Sequence, residues 1–386
     1  MNILAIKGGG ARGIIVTRFL VEIEKITNIP IYKLFDYIGG SSVGALIACG
    51  VLVSDDGENP KYTAQQVHDI FIKDMCNAFS WTYSSWFASG FGLFGPSYTN
   101  NGLLKITEDL CSDKKLGDIL RPIIFPAYDR KTHRAYYFEK DKDKDITLHN
   151  VIMSCTAAPT YFPSHSMEIN NKKYDMIDGG IVVNNTAELA FLQATKHMNC
   201  IDKSKILELN IGTGIFTNTE TDRQGLLTWM PMIVETLMHA CNENELFELS
   251  LSLPDENYFI MDVPLDIKYY YIDDVRKETI DYYIKETDKW IEQNQGAMRA
   301  FCYKLMTNKG FPLPTEIIMN ELIEEIKNME SAAELINNTD TDNETNLPIS
   351  DGELTLTDDD KEAVELPDHV IDEASVKLII NTKNDK

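Results

Sequence analysis

The chain has 386 residues and a formal net charge of −24, from 60 Asp and Glu against 36 Lys and Arg. Its composition, 44% hydrophobic and 25% charged, is ordinary for a globular protein, and its length suffices for one large domain or two modest ones. The negative charge argues against nucleic-acid binding and against a purely electrostatic attachment to anionic membranes, because both require a cationic surface.

The first part of the chain alternates short apolar segments with glycine-rich turns and helical patterns. Residues 2–6 predict a buried strand, followed by a turn over residues 7–13 and a helix over about residues 14–27. A second strand is predicted at residues 37–40, before a sharp turn and a helix over about residues 43–51. Repeated strand–turn–helix units favour an α/β fold in which helices cover a parallel sheet.

The middle of the chain continues this pattern. Further strands are predicted at residues 122–127, 134–138, 172–176 and 206–212, and helices at about residues 225–245 and 278–307. Residues 79–98 hold eight aromatic side chains and no charge, so they are expected to cover the core, to line an acyl-chain pocket or to contact a bilayer surface.

The C-terminal part differs in composition. The segment 309–314 predicts a linker that ends a compact domain over residues 1–308, with one more helix within residues 315–336. Residues 337–386 are expected to form an acidic, largely disordered tail, because they offer little to bury. Residues 331–386 hold 15 Asp and Glu against 4 Lys, a net charge of −11, which leaves −13 on residues 1–330.

Cysteine usage and apolar runs indicate the compartment. Seven scattered cysteines without a Cys-x-x-Cys pair favour reduced thiols over disulfides or a zinc site. The N-terminus lacks the apolar region of a signal peptide, and the longest apolar run, residues 43–53, has 11 residues, too few to span a bilayer. We therefore expect a cytoplasmic protein; peripheral membrane contact and secretion without a signal peptide stay open.

The strongest local motif is Gly40-Ser41-Ser42-Val43-Gly44, which fits G-x-S-x-G between a strand and a helix. The two glycines flank Ser42 at the required spacing, so Ser42 is the candidate nucleophile of a strand-to-helix elbow. The competing interpretation is a turn of small residues that only lets strand and helix pack together.

The glycine turn holds Gly8, Gly9, Gly10, Ala11, Arg12 and Gly13 and satisfies G-x-G-x-x-G. A dinucleotide site would need an acidic residue at the end of the next strand, and a P-loop would need Gly-Lys-Ser/Thr; neither is present. The remaining functional interpretation is an oxyanion hole, in which consecutive backbone N–H groups, such as those of Gly9 and Gly10, point at one oxygen.

Asp178-Gly179-Gly180 follows a predicted strand. An aspartate beside a serine can accept its proton, whereas the competing interpretation is an ordinary Asp-Gly turn.

The three motifs in this order resemble the patatin-like phospholipase family. The resemblance covers about residues 1–306 and extends to the segment 157–163, to Asn184-Asn185 and to the turn 212–214. It implies a three-layer α/β sandwich with a mostly parallel sheet, and makes residues 1–308 the catalytic domain. It also implies Ser42 as nucleophile, Asp178 as general base without a catalytic histidine, and no metal or cofactor.

The implied activity is that of a lipid acyl hydrolase of phospholipase A or lysophospholipase type, acting on phospholipids or other acyl lipids through transient contact with a membrane surface or micelle. The alternatives are an acyltransferase with the same dyad and a non-catalytic lipid-binding protein. Lys7 and Thr186 depart from the family pattern, which has aspartate and proline there, and Val43-Gly44-Ala45 replaces the usual residues after the serine. Arg12 holds either an anionic headgroup or the glycine turn.

Overall fold

A sheet of eight strands forms the centre of the part of the chain that the computed structural model describes, namely residues 1–79, 96–111, 113–200, 202–216 and 233–314. In chain order the strands are β1 (Asn2–Ile6), β2 (Tyr37–Gly40), β3 (Ile123–Asp129), β4 (Arg134–Glu139), β5 (His165–Ile169), β6 (Lys172–Asp178), β7 (Leu207–Ile211), β8 (Ile215–Phe216), β9 (Tyr258–Met261) and β10 (Pro264–Leu265). Five strands of the sheet run parallel in the order β3-β2-β1-β7-β9, while β4 and β6 pair antiparallel with β3, and β5 with β6. Strands β8 and β10 form a separate parallel pair.

Helices cover both faces of this sheet. They are α1 (Gly13–Thr27), α2 (Ile31–Leu34), α3 (Val43–Leu52), α4 (Ala64–Ala78), α5 (Asn101–Cys111), α6 (Leu148–Thr156), α7 (Ala187–Met198), α8 (Ile233–Ser252), α9 (Lys277–Gln293) and α10 (Gln295–Asn308). Strand β1 shows why two layers are needed: Leu4 and Ile6 belong to the core shared with α1 and α3, whereas Ile3 and Ala5 belong to the core under α7 and α8. The predicted three-layer α/β sandwich is confirmed.

The carboxyl ends of three neighbouring strands meet at one edge of the sheet, because β1, β2 and β7 are parallel. The turns 8–13, 40–44 and 212–214 follow these ends directly. Strand β6 runs the other way and pairs Asp178 with Ala127 of β3, which brings the end of β6 to the same edge. The fold thus gathers the motifs that the sequence singled out.

The predicted strands agree with the structure to within about two residues, but the helix predicted over residues 278–307 is wrong. Two helices replace it, because Asn294 leaves the helical conformation at φ −112° and ψ 18°. The Asn294 side-chain amide donates to the carbonyl of Trp290, which satisfies the end of α9, and Asn294 is the residue that caps the start of α10. Helix α8 also runs past the predicted residue 245 to Ser252, while its predicted start lies outside the described residues.

Several predictions concern residues beyond those described. Residues 315–386, with the predicted helix and acidic tail, and most of the aromatic segment 79–98 are among them, so the proposed domain boundaries stay a prediction. Of the cysteines, Cys49, Cys111, Cys155 and Cys302 are buried free thiols. Within the described ranges, none of the helices combines the length and apolarity needed to cross a bilayer.

Glu208 is the most unusual core residue. It lies on β7, opposite Ile3 of β1, and is fully buried. Neither of its carboxylate oxygens has a hydrogen-bond partner among the described residues. Burial, and then the neighbouring Glu188 and Glu245, raise the pKa of Glu208 well above its ordinary value. The folded state therefore holds a proton that the unfolded chain releases at neutral pH, and stability falls as pH rises from the unfolded pKa towards the folded pKa.

We expect Glu208→Gln to unfold at higher urea concentration than the wild type at pH 8, with the difference shrinking towards pH 5. While Glu208 stays protonated in the fold, the wild type loses up to about 1.4 kcal/mol of stability per pH unit over this range through this group. Unfolding followed by circular dichroism at both pH values measures the difference. The exposed Glu168→Gln serves as the control, and equal pH dependence of both variants would contradict the assignment.

Candidate active site

Ser42 sits in a strained turn between β2 and α3. Its backbone has φ 52° and ψ −123°, a conformation that an L-residue adopts only where the surroundings hold it. The hydrogen bonds Ser41 N–H to Ile6 O and Gly44 N–H to Ser41 O fix this turn against β1 and against itself. The side chain of Ser42 is consequently lifted off the end of the strand at the start of a helix.

The flanking glycines are required by close packing. A Cβ on Gly40 would lie 2.7 Å from the backbone of Gly44, and a Cβ on Gly44 would lie 2.5 Å from the carbonyl oxygen of Ile6. A side chain at position 40 would collide with the start of α3, and one at position 44 would collide with β1. Both interpretations of G-x-S-x-G, a nucleophile elbow and a turn of small residues that lets strand and helix pack, require this close approach.

Asp178 contacts Ser42 directly at the end of β6. Ser42 Oγ donates a hydrogen bond of 2.5 Å to Asp178 Oδ2, and Gly180 N–H donates one of 2.7 Å to Asp178 Oδ1. Both oxygens of the carboxylate thus have a donor, and the side chain cannot rotate without losing one of them. Asp178 N–H donates to Ala157 O, so the segment 157–163 supports the aspartate from behind.

The environment of Asp178 adjusts its acidity. Burial raises the pKa of this carboxyl group to about 6, while the hydrogen bonds from Ser42 and Gly180 work in the opposite direction. A carboxylate with this pKa remains ionised at neutral pH and is a stronger base than a free aspartate. No described histidine hydrogen-bonds to Ser42 or Asp178.

The glycine turn lies against the serine. A Cβ on Gly8 would be 3.0 Å from Ser42 Cβ, so this glycine allows the turn to approach the elbow. Gly8 N–H donates to Asn184 O and Ala11 N–H to Ile272 O. Among the described residues, no acceptor is recorded for the N–H groups of Gly9 and Gly10. These two donors lie between the anchored ends of the turn, as an oxyanion hole requires.

Two polar residues to which the sequence motifs assign no role support the glycine turn. Thr213 Oγ1 donates to Gly8 O at 2.7 Å, and Asn184 accepts from Gly8 N–H through its backbone carbonyl. The side-chain amide of Asn184 donates to Asn242 of α8 at 3.1 Å and is 3% exposed. The motifs Asn184-Asn185 and Gly212-Thr213-Gly214 were the only sequence signal for these supports.

Lys7 has a buried partner. Its Nζ lies 3.4 Å from Asp262 Oδ2, and the two side chains are 6% and 9% exposed. Asp262 Oδ1 also accepts from the N–H groups of Gly214 and Val263. The lysine at this position is therefore neutralised from the end of β9, and the pair links the glycine turn to the turn 212–214.

Arg12 is buried and faces the protein. Its Nη1 donates to Tyr270 O at 2.6 Å, and its guanidinium lies 5.0 Å from the centre of the Phe216 ring. Of the two roles left open for Arg12, these contacts favour fixing the glycine turn over holding a headgroup. Thr186, the other departure, is fully buried as the residue that precedes α7 and packs against Gly39.

The described ends of the aromatic segment pack near the site. Phe79 and Tyr98 meet edge to face at 5.4 Å, and both contact Phe162. Tyr98 N–H donates to Tyr161 O. These aromatic ends therefore pack against the segment that supports Asp178; residues 80–95 lie outside the described residues. In the described ranges, no cluster of three or more His, Cys, Asp or Glu is placed to hold a metal ion.

Comparison with known proteins gives a consistent result. Residues 4–191 match the family model described as Patatin-like phospholipase. The chain is 28% identical over 290 residues to Patatin-like protein 2 of Arabidopsis thaliana, a match that covers 65% of this chain and 71% of that protein. It is 27% identical over 276 residues to Patatin-08 of Solanum tuberosum, covering 63% and 69%. The crystal structure of VipD from Legionella pneumophila aligns with a TM-score of 0.35 and 12% identity, over 76% of this chain and 66% of that one, which is too distant to bear on function.

We expect Lys7→Met to lower the free energy of unfolding by about 3 kcal/mol, because it leaves the carboxylate of Asp262 buried without its partner. The double variant Lys7→Met/Asp262→Asn removes both charges, and it should lose less stability than the sum of the two single variants. Urea unfolding of the four proteins measures this coupling. Strict additivity would show that the two residues do not stabilise each other.

Proposed function

Because residues 4–191 are a patatin-like phospholipase domain, a family that implies lipid acyl hydrolase activity, we propose that this protein cleaves fatty-acyl esters of phospholipids or other lipids. In this proposal Ser42 is the nucleophile, Asp178 the general base and the turn Gly8–Gly13 the oxyanion hole. The proposal rests on one observation above all, the direct hydrogen bond from Ser42 Oγ to Asp178 Oδ2.

The acylation step follows from this contact. A serine hydroxyl is a weak nucleophile until a base removes its proton, and Asp178 already accepts that hydrogen bond. As Ser42 Oγ attacks the ester carbonyl carbon, its proton passes to Asp178 and negative charge develops on the carbonyl oxygen. The N–H groups of Gly9 and Gly10 stabilise this oxyanion. The protonated Asp178 then gives its proton to the departing alkoxide, which leaves an acyl-serine.

Deacylation repeats the sequence with water as the nucleophile. Asp178, ionised again, accepts a proton from a water molecule as that water attacks the acyl-serine carbonyl. The fatty acid departs, and Ser42 regains its proton from Asp178. One carboxylate therefore serves as base and as acid in both steps, and its raised pKa of about 6 suits this alternation better than an ordinary aspartate would.

We expect Ser42→Ala to lower kcat for fatty-acid release by at least about 1000-fold and Asp178→Asn by roughly 100- to 10,000-fold. Hydrolysis of a panel of phospholipids, lysophospholipids and neutral acyl lipids, with and without an added alcohol acceptor, measures release and transfer. The neighbouring Ser41→Ala is the matched control, because Ser41 Oγ donates to Val183 O and not to Asp178.

Labelling with a fluorophosphonate provides a readout that is independent of the lipid. Wild type and Ser41→Ala should be labelled, whereas Ser42→Ala should not. Full activity in both dyad variants, or a folded wild-type protein that neither reacts with the probe nor releases fatty acid from any lipid, would refute the proposal.

The pH dependence should report the ionisation of Asp178. Since the base must be ionised to accept the serine proton, kcat/KM should rise with pH through an apparent pKa of about 6 and level off above it. Initial rates on a soluble short-chain ester between pH 4.5 and 8 measure this. A profile that is flat across this range would contradict the assigned base.

A further inference from the structure

Two hairpin turns carry a cluster of cations on an otherwise acidic chain. The turn after β3, the turn before β6 and the strand residues beside them hold six exposed basic side chains, which we name the basic edge: the five cations Arg130, Lys131, Arg134, Lys172 and Lys173, and His133. Residues 130–134 and 170–173 contain no Asp or Glu. The net charge of −24 conceals this local reversal of sign.

The two turns are neighbours in the fold. Arg134 and Lys172 line the same cleft of about 340 Å³, together with the buried carboxylate of Asp129 and with Tyr136 and Tyr174. Arg130, Lys131 and His133 line a second cleft, on the other side of the hairpin, together with Asp175. The cations therefore surround two neighbouring turns, on two clefts, although about 40 residues separate the two segments.

The acidic groups near the basic edge neutralise only part of it. Arg130 pairs with Asp175 at 2.6 Å, and Glu168 stands opposite Lys173 in the β5–β6 register. Within the described residues, no carboxylate lies within salt-bridge distance of Lys131, Arg134 or Lys172. These charges are available to an external anion.

The strand register places the basic edge beyond the catalytic serine. Strand β3 aligns Ile124 with Gly39 near the end of β2 and continues to Asp129, which extends it roughly 13 Å past β2 at 3.3 Å per residue. Along β6, Lys172 precedes Asp178 by six residues, roughly 20 Å of extended strand in the same direction. Both turns thus project from the edge of the sheet at which Ser42 lies.

Exposed apolar side chains occur at the same edge. Ile181 follows Gly180 and is 37% exposed, and Ile215 follows Gly214 and is 47% exposed. Tyr271, 56% exposed, adjoins Ile272, whose carbonyl anchors the glycine turn. A surface that combines cations with apolar side chains matches the interface of an anionic bilayer, where headgroups meet acyl chains, better than it matches a nucleic acid.

We infer that the basic edge is a docking surface for anionic phospholipid membranes, and that it orients the catalytic edge towards the bilayer while the acidic remainder of the protein is repelled. The inference rests on the proposed function only for the choice of a lipid surface as partner. It also narrows the expectation drawn from net charge, since a local cationic surface can attach a protein whose total charge is negative.

The test measures binding of the full chain to vesicles of phosphatidylcholine, with and without about 30% phosphatidylglycerol by mass. This fraction of anionic lipid gives the vesicles a negative surface potential. Measurements use the Ser42→Ala background so that lipid is not consumed. Replacing Lys131, Arg134, Lys172 and Lys173 by Gln should weaken binding to the anionic vesicles at least about tenfold. Raising the salt concentration to about 0.5 M should weaken binding of the parent protein by a similar factor.

A matched control removes the same charge elsewhere. Four exposed lysines lie near the amino ends of the parallel strands, at the opposite edge of the sheet: Lys25, Lys33, Lys203 and Lys205. Their replacement by Gln should leave vesicle binding within about twofold of the parent, because these side chains face away from the membrane. Circular dichroism establishes that both sets of variants are folded, and Lys131→Glu/Lys173→Glu provides a smaller substitution with the same expected loss.

Activity measurements separate this inference from the proposed function. With Ser42 intact, the basic-edge variant should keep the wild-type rate on a soluble short-chain ester and lose rate only on anionic vesicles. Equal vesicle binding by the basic-edge and control variants would overturn the inference, as would retention on heparin without binding to anionic vesicles. A wild type that binds vesicles and hydrolyses no ester would refute the hydrolase and leave the docking surface standing.

Discussion

The hydrogen bond between Ser42 Oγ and Asp178 Oδ2 depends on the way in which β6 joins the sheet. The parallel strands β1, β2 and β7 end at the same edge of the sheet, and a glycine-rich turn follows each of them. Strand β6 instead pairs antiparallel with β3, with Ala127 opposite Asp178, and this register sets the carboxylate level with the elbow. A slip of one residue would turn Asp178 to the other face of the sheet and separate the two groups.

Around this contact, several backbone polar groups of the glycine turn are hydrogen-bonded to neighbouring elements. The carbonyl of Gly8 is held by Thr213, its N–H by Asn184, and the N–H of Ala11 by Ile272. The intervening N–H groups of the buried Gly9 and the half-buried Gly10 have no acceptor among the described residues, and the proposed mechanism therefore assigns the oxyanion to them. The Lys7–Asp262 pair and the hydrogen bond from Arg12 to Tyr270 O hold the two ends of the glycine turn.

The sequence predicted those strands, helices and turns whose formation depends on residues close together in the chain. The strands before the glycine turn and the elbow were recognisable because they are continuous apolar runs, and Ser42 was distinguishable from Ser41 by the spacing of its glycines. The break at Asn294 was missed because the apolar pattern continues across it, while a single side chain captures the carbonyl of Trp290. The partnership of Lys7 with Asp262 joins residues 255 positions apart, and the basic edge forms only when the registers of two hairpins are known. Such pairings are products of topology and leave no trace in a window of sequence.

The separation of the dyad along the chain has a consequence for synthesis. Ser42 and Asp178, the proposed nucleophile and base, are 136 positions apart, and Asp178 reaches the serine through the pairing of β6 with β3. Because a chain emerges from the ribosome N-terminus first, Ser42 and the glycine turn are synthesised well before Asp178. A nascent or truncated chain that ends before residue 178 therefore cannot assemble the dyad, and in the proposed mechanism a lipase of this design stays inert towards nearby membranes until its central sheet is complete.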